Sequence, residues 1–431
     1  MPRLLAIRAR RAFLPGGEAP ARGAALFAPL LIRDNALLLC ALPDTIPPEA
    51  IPPEAIPPTA ATDAAHLMAL CAHGHIAYAG PYAARHIPPH TPVYDLGDVC
   101  LAPGAVNAHC HLQLAHTAGR LRYGAGFAPW LETLVSLLRE PFDPAGIDAG
   151  AAQLAAAGTA HVGDVTGAGA ALVAQALHRH GVGATLLAEW FGFAPAHGGI
   201  PSVVSAALEG SFPAGFPPGD NTLRLAPAGH APYSTAAATL VAAHAFCRAH
   251  NLPFSLHLAE SPEEDQALLH GTGPLVAFYR ARVLPPDWRA PGLAPVEYAA
   301  HLGLLAPGTL AVHCVQCAER DIALLARSGT AVCLCPRSNA LLSVGTAPVR
   351  AMAAAGVLLC LGTDGLSSNE DLNVWQEAHT LARRGDLPGR ALLRLLCVNG
   401  WAALGLAPLA ALRPGERAHW AVVPESLCAA L

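Results

Sequence analysis

The sequence contains no lysine: its 26 Lys+Arg residues are all arginines. That absence excludes a Schiff-base nucleophile, a Walker-type phosphate lysine and a carbamylated lysine bridging two metal ions. Charge is sparse, at 13% of residues, and the net value of −5 comes with no basic stripe, so nucleic acid is not an expected partner. No apolar run reads as a membrane span, so no membrane partner is expected either. The opening segment "MPRLLAIRARRAFLPGG" has arginines but no apolar stretch behind them and no small-residue cleavage site. It reads as a strand rather than a signal peptide, and a cytoplasmic location is expected.

Cysteine, by contrast, is present twelve times. Most copies sit inside apolar runs such as "AVCLC" and "VLLCL", as small core residues rather than a disulfide framework. Cys314 and Cys317 form a C-x-x-C, and Cys333 and Cys335 a C-x-C. These four leave a zinc ribbon open as an alternative, although the second pair alternates along a buried strand.

A chain of 431 residues, 53% hydrophobic, can bury a large core. From about residue 99 short apolar runs alternate with helical patterns. The strand candidates are "VCLAPGAVNAH", "GTAHVGDV", "GATLLAEW", "LRLAPAG", "PFSLHLAE", "TLAVHCV", "TAVCLCP" and "VLLCLGTD". Between them lie Ala/Leu-rich segments such as "STAAATLVAAHAFCRAH" and "AERDIALLARSG". Eight strands in βα alternation predict an α/β fold, a (β/α)8 TIM-type barrel over residues 99–405. A doubly wound sheet is the alternative, but no Gly-rich phosphate loop follows the first strand. Residues 1–98 read as strands with little helix, "HLMALCAHGHIAYAGP" included. Together with a strand pair in "LRPGERAHWAVVP", within residues 406–431, they are expected to form a small β-sandwich. The repeat "IPPEAIPPEAIPPTA" should be an exposed, stiff loop.

Reacting groups of such a barrel gather at the C-terminal ends of its strands. His109 and His111 stand two apart at the end of the first strand, on one face, where they can close on one ion. Taken alone, the pair also fits two polar residues leaving a sheet. The fifth strand ends with His257 and Glu260, the sixth with His313 and the eighth with Asp364. Four histidines and two carboxylates at one barrel mouth point to a metal site.

The segments "NAHCHL", "HAPYS", "HLAES", "AVHCV", "CPRSN" and "LGTDGLSSNEDLN", in this order, resemble the amidohydrolase superfamily, in its nucleobase and nucleoside deaminase branch. The likeness runs from about residue 1 to 424. It implies one divalent metal, zinc or iron(II), bound by His109, His111, His257 and Asp364. Glu260 matches the proton shuttle, and His313 the histidine facing the attacking water, so that the catalytic set is Glu260, His313 and Asp364. The absence of lysine agrees, since two-metal relatives use a carbamylated lysine. The implied chemistry is attack of an activated water on an amino-bearing ring carbon, with Glu260 protonating the adjacent ring nitrogen.

"NAHCHLQL" followed by "FAPWL" is similar to aminodeoxyfutalosine deaminases of menaquinone biosynthesis, which implies 6-amino-6-deoxyfutalosine as substrate. S-adenosylhomocysteine and methylthioadenosine deaminases share the Phe-x-x-Trp pattern, but where they carry a ribose-binding carboxylate this chain has Ala128. Gln113 departs from the Glu usual in the futalosine group. Gln113, Trp130 and His230 are the candidate substrate contacts, with Trp130 either stacking on a base or anchoring a loop. A barrel that keeps the fold as a non-catalytic metal-binding protein is the alternative of another class. The expected partner is a small purine-type nucleoside, with a homo-oligomer left open.

Overall fold

A computed structural model describes residues 3–15, 30–47, 50–51, 60–193, 223–407 and 412–428. Most of the proline repeat lies outside these residues. The chain begins with β1 (Arg3–Pro15) and β2 (Leu30–Leu42), paired antiparallel. They are followed by β3 (His75–Pro81), β4 (Val93–Asp95) and β5 (Cys100–Pro103). β3 extends the sheet beyond β2, while β4 and β5 both join the free edge of β1.

The βα alternation then builds β6 (Ala105–Cys110), β7 (Thr159–Thr166), β8 (Gly183–Trp190) and β9 (Leu223–Gly229). It continues through β10 (Phe254–Leu258), β11 (Thr309–His313), β12 (Ala331–Leu334) and β13 (Leu359–Leu361). These eight strands pair in parallel, each with the next, as the βα reading predicts. Strands covered by helices outside and by each other inside are buried on both faces, which is why their sequences are near-continuous apolar runs. The last strand, β14 (Trp420–Val422), returns to pair with β5 and completes the appended six-stranded sheet.

The seam between β6 and β13 is bridged at the top of the barrel. Asn107 Nδ2 donates to Thr363 Oγ1 (2.7 Å), and the Thr363 N–H donates back to Asn107 Oδ1 (3.0 Å). The Asp364 N–H donates to the His109 carbonyl at 3.0 Å. Gly362 makes this approach possible: a Cβ there would lie 2.7 Å from His109 Cβ and 2.8 Å from both His109 O and Cys333 Sγ. The first and eighth strands thus carry their polar ends side by side, although Asn107 and Thr363 stand 256 positions apart in the chain.

Three expectations need correction. "HLMALC" is not a strand but part of the helix Ala60–Cys71, whose buried Ala64, Leu67, Met68 and Cys71 follow a helical repeat that the reading as a strand passed over. "VCLAPGAVNAH" is two strands rather than one: at Gly104, pressed against Ala160 and His419, the chain passes from the appended sheet into the barrel. "LRPGERAHWAVVP" gives one strand, β14, and a single bridge between Arg417 and His75 rather than a strand pair. Cys333 and Cys335 pack in the barrel core apart from the cluster that holds Cys314. Among the described residues no cysteine belongs to a group that could hold a metal, so the zinc ribbon is set aside.

Candidate active site

Eight of the nine residues singled out from the sequence line one cavity of about 410 Å³ at the barrel mouth. The ninth, His109, is fully buried against its floor. His111 Nε2 lies 3.2 Å from His109 Nε2 and 3.3 Å from His257 Nε2. Asp364 Oδ1 lies 3.4 Å from His109 Nε2 and 3.4 Å from His111 Nε2. Ligand atoms about 2.0–2.1 Å from a tetrahedral ion stand about 3.3–3.4 Å from one another, and these four separations match that spacing.

Their surroundings keep the donor atoms available. His257 Nδ1–H donates to the His230 carbonyl (2.9 Å), which turns the Nε2 lone pair to the site. Burial holds His111 at about 3 and His257 well below its usual value, so both rings are neutral at pH 7. Asp364 Oδ2 accepts from Ser338 Oγ (2.8 Å) and Ser368 Oγ (2.6 Å), leaving Oδ1 for the imidazoles. Burial alone would raise the Asp364 carboxyl, but His109 and the other imidazoles beside it hold it well below the usual carboxylate range. His313 and Asp364 also adopt left-handed backbone angles, with φ of 73° and 59°. Such conformations in residues other than glycine concentrate at functional sites.

Glu260 is buried beside this set, its Oε1 3.5 Å from His313 Nε2. His313 Nδ1–H donates to Asn339 Oδ1 (2.9 Å), so the Nε2 toward Glu260 carries the lone pair, and it has no other partner. Burial, then the charges of Asp364 and Glu264, pushes the Glu260 carboxyl well above its usual value. A raised carboxyl pKa favours the protonated form, which suits the group to give a proton.

The three candidate substrate contacts line the cavity but are partly engaged already. Gln113 Oε1 accepts from the Gly167 N–H (2.9 Å). Trp130 Nε1 donates to the Ser367 carbonyl (2.8 Å), tying its helix Phe127–Leu137 to the loop after β13. His230 Nδ1 pairs with Ser234 Oγ and leaves Nε2 as its free polar atom.

The sequence reading passed over Glu189 at the end of β8, although it obeys the same strand-end rule as the others. Its Oε1 has no hydrogen-bond partner and lies 3.9 Å from His257 Nδ1. Burial, with Asp364 nearby, pushes this carboxyl up to about 8. Ser338 and Asn339 lay within the quoted "CPRSN", but which atoms they would hold is a tertiary matter.

With the geometry established, the chain compares with known proteins as follows. Residues 100–427 match the model of the amidohydrolase family. An aminodeoxyfutalosine deaminase of Deinococcus radiodurans is 35% identical over 344 residues, covering 77% of this chain and 79% of the relative. A 5-methylthioadenosine/S-adenosylhomocysteine deaminase of Halobacterium salinarum is 45% identical over 122 residues, 26% of this chain and 28% of the relative. In fold, the chain resembles the crystal structure of Helicobacter pylori aminofutalosine deaminase in complex with methylthio-coformycin. That match has a TM-score of 0.70 at 19% identity and covers 97% of this chain and 91% of the other. An adenosine deaminase from Xanthomonas campestris with bound zinc matches with a TM-score of 0.69 at 21% identity, over 96% and 83% of the two chains. From its barrel, its His/Asp cluster and these likenesses, the chain belongs to the amidohydrolase family and is an enzyme among its deaminases.

Proposed function

We propose that the protein hydrolyses the 6-amino group of an adenine-type nucleoside, 6-amino-6-deoxyfutalosine first among them, with one divalent metal held by His109, His111, His257 and Asp364. The observation that carries the reading is the convergence of four candidate ligand atoms, joined by separations of 3.2–3.4 Å from His111 to His109 and His257 and from Asp364 to His109 and His111, beside a buried carboxyl–imidazole pair. Zinc suits three imidazoles and a carboxylate, and iron(II) is the other candidate. When bound, the ion would supply a water of lowered pKa.

The rest is work for the chain's own residues. Glu260 gives its proton to the ring nitrogen next to the amino-bearing carbon, which makes that carbon electrophilic. His313 Nε2, its tautomer set by Asn339, accepts a hydrogen bond from the attacking water. Asp364, steadied by Ser338 and Ser368, helps take the water's proton. Glu260, now a carboxylate, takes up the water's proton from Asp364 and passes it to the amino nitrogen, which leaves as ammonia as the C–N bond breaks. The new hydroxyl gives its remaining proton to Glu260 and becomes the ring carbonyl, so that one water is consumed and both carboxyl groups return to their starting states. Glu189 and His230 have free polar atoms above this floor and are suited to the sugar hydroxyls. Glu189 thereby fills the role left open by Ala128.

The futalosine substrate is supported by the relative that is 35% identical over most of both chains. Adenine nucleosides with a sulfur-linked arm are the second reading, favoured by the 45% match over a shorter stretch. Spectrophotometry of the purified protein with 6-amino-6-deoxyfutalosine, S-adenosylhomocysteine, 5′-methylthioadenosine and adenosine tests both. The expected outcome is the highest kcat/KM on the first. A clear preference for S-adenosylhomocysteine would move the assignment to the second reading.

A further inference from the structure

The reaction centre occupies only the floor of the cavity. One wall is a single face of the helix Phe127–Leu137 and its C-cap, through Phe127, Trp130, Leu131, Leu134 and Leu138. Three large hydrophobic side chains are markedly exposed among the described residues, and two of them, Leu138 (47%) and Phe191 (51%), stand on the lip of this cavity. Exposed apolar groups rimming a concave site mark a surface that a ligand covers.

On the same lip lies Arg282, just beyond the helix Pro274–Arg280. Its Nη1 donates to the Phe278 carbonyl (2.9 Å), and its guanidinium carbon sits 3.8 Å from the centre of the Phe278 ring. The guanidinium is thus held in place by contacts that use one of its five N–H donors. Arg8, Arg10, Arg120, Arg179 and Arg337 each pair with a carboxylate, whereas Arg282 pairs with none among the described residues. An oriented, unneutralised cation at the end of an apolar channel is a receptor for an anion carried on an apolar stem.

We infer that Arg282 and the apolar lip form a subsite for a nucleoside whose sugar bears an apolar arm ending in a carboxylate. The inference rests on the proposed deaminase reading: with the amino-bearing carbon at the metal floor, the sugar end of a nucleoside points to the mouth, where an arm would reach Leu138, Phe191 and Arg282. Arg282 is a specificity-determining residue, remote from the reacting atoms, and its contribution belongs in KM.

The test compares 6-amino-6-deoxyfutalosine, whose arm ends in a carboxylate, with adenosine, which has no arm, on wild type and on Arg282→Gln. A lost charge-assisted hydrogen bond is worth roughly tenfold to hundredfold. We expect that loss in kcat/KM on the carboxylate substrate, through KM, with adenosine changed less than about twofold on the same scale. Arg282→Lys should recover part of the loss by keeping the charge. Equal losses on both substrates, or no loss on either, would overturn the subsite while leaving the deaminase reading intact. If wild type deaminated no adenine nucleoside at all, the deaminase reading would fall first and the subsite with it.

Discussion

Replacing Glu260 by Gln changes one atom of a buried side chain and keeps its volume. The carboxyl sits in a desolvated corner, 3.5 Å from His313 Nε2, and burial raises its pKa well above the ordinary value. The raised pKa favours the protonated form from which the ring nitrogen would take its proton, and an amide has no acidic proton to give. A general acid or base is worth about 10² to 10⁴ in rate, and this one acts twice, so kcat should fall by at least about 10³, or roughly 4 kcal/mol of barrier. The four proposed metal ligands are untouched, so metal content by elemental analysis should stay at one ion per chain. Thermal stability should hold or rise, because a costly buried carboxyl has been removed. The assay is ammonia release under saturating substrate, with metal content and melting temperature measured on the same preparation. A variant within tenfold of wild-type kcat would refute the assignment of Glu260 as the shuttle.

His257→Ala should empty the metal site and abolish turnover, because losing one of four ligands removes much of the affinity; wild type found with two metals per chain would contradict the site. Gly362→Ala would force a Cβ to within 2.7 Å of His109 Cβ, and we expect about 1–3 kcal/mol of destabilisation by urea unfolding together with weaker metal retention. An unchanged urea midpoint would show that the seam can yield. Acid should destabilise the fold through His161 and His419, which burial holds neutral with pKa values of about 3. Since both lie below the unfolded value of about 6.5, the stability they contribute is complete above that pH and is lost as pH falls from about 6.5 towards 3, on the order of 4 kcal/mol each. Urea midpoints that stay flat from pH 7 to 4, or a His161→Asn variant with an undiminished slope, would count against this.

The eight barrel strands and the polar residues that gather at the barrel mouth were legible in the chain itself, because both depend on local rules. Apolar runs of strand length recur between helical patterns, and a polar residue closing such a run falls at the barrel mouth whatever surrounds it. His109, His111, His257, Glu260, His313 and Asp364 could be named that way, and Glu189 could have been, by the same rule. The helix Ala60–Cys71 was misread for a related reason: its repeat is short and lies in a stretch rich in strand-like signals.

Tertiary structure decided which atoms those residues present. Asn339 reaches His313, and Ser338 reaches Asp364, each across 26 positions; Asn107 meets Thr363 across 256, and Trp130 meets Ser367 across 237. No local pattern encodes such pairs, since they exist only after the barrel has closed and brought β6 beside β13. The same holds for the unpartnered oxygen of Glu189 and for the apolar lip with Arg282. The order of residue types along the chain determined that a (β/α)8 barrel with a His/Asp cluster at its mouth would form. The packing of distant loops on its rim determined how each ligand is oriented and what shape of molecule the mouth can hold, because orientation and shape depend on neighbours that the chain supplies from far apart.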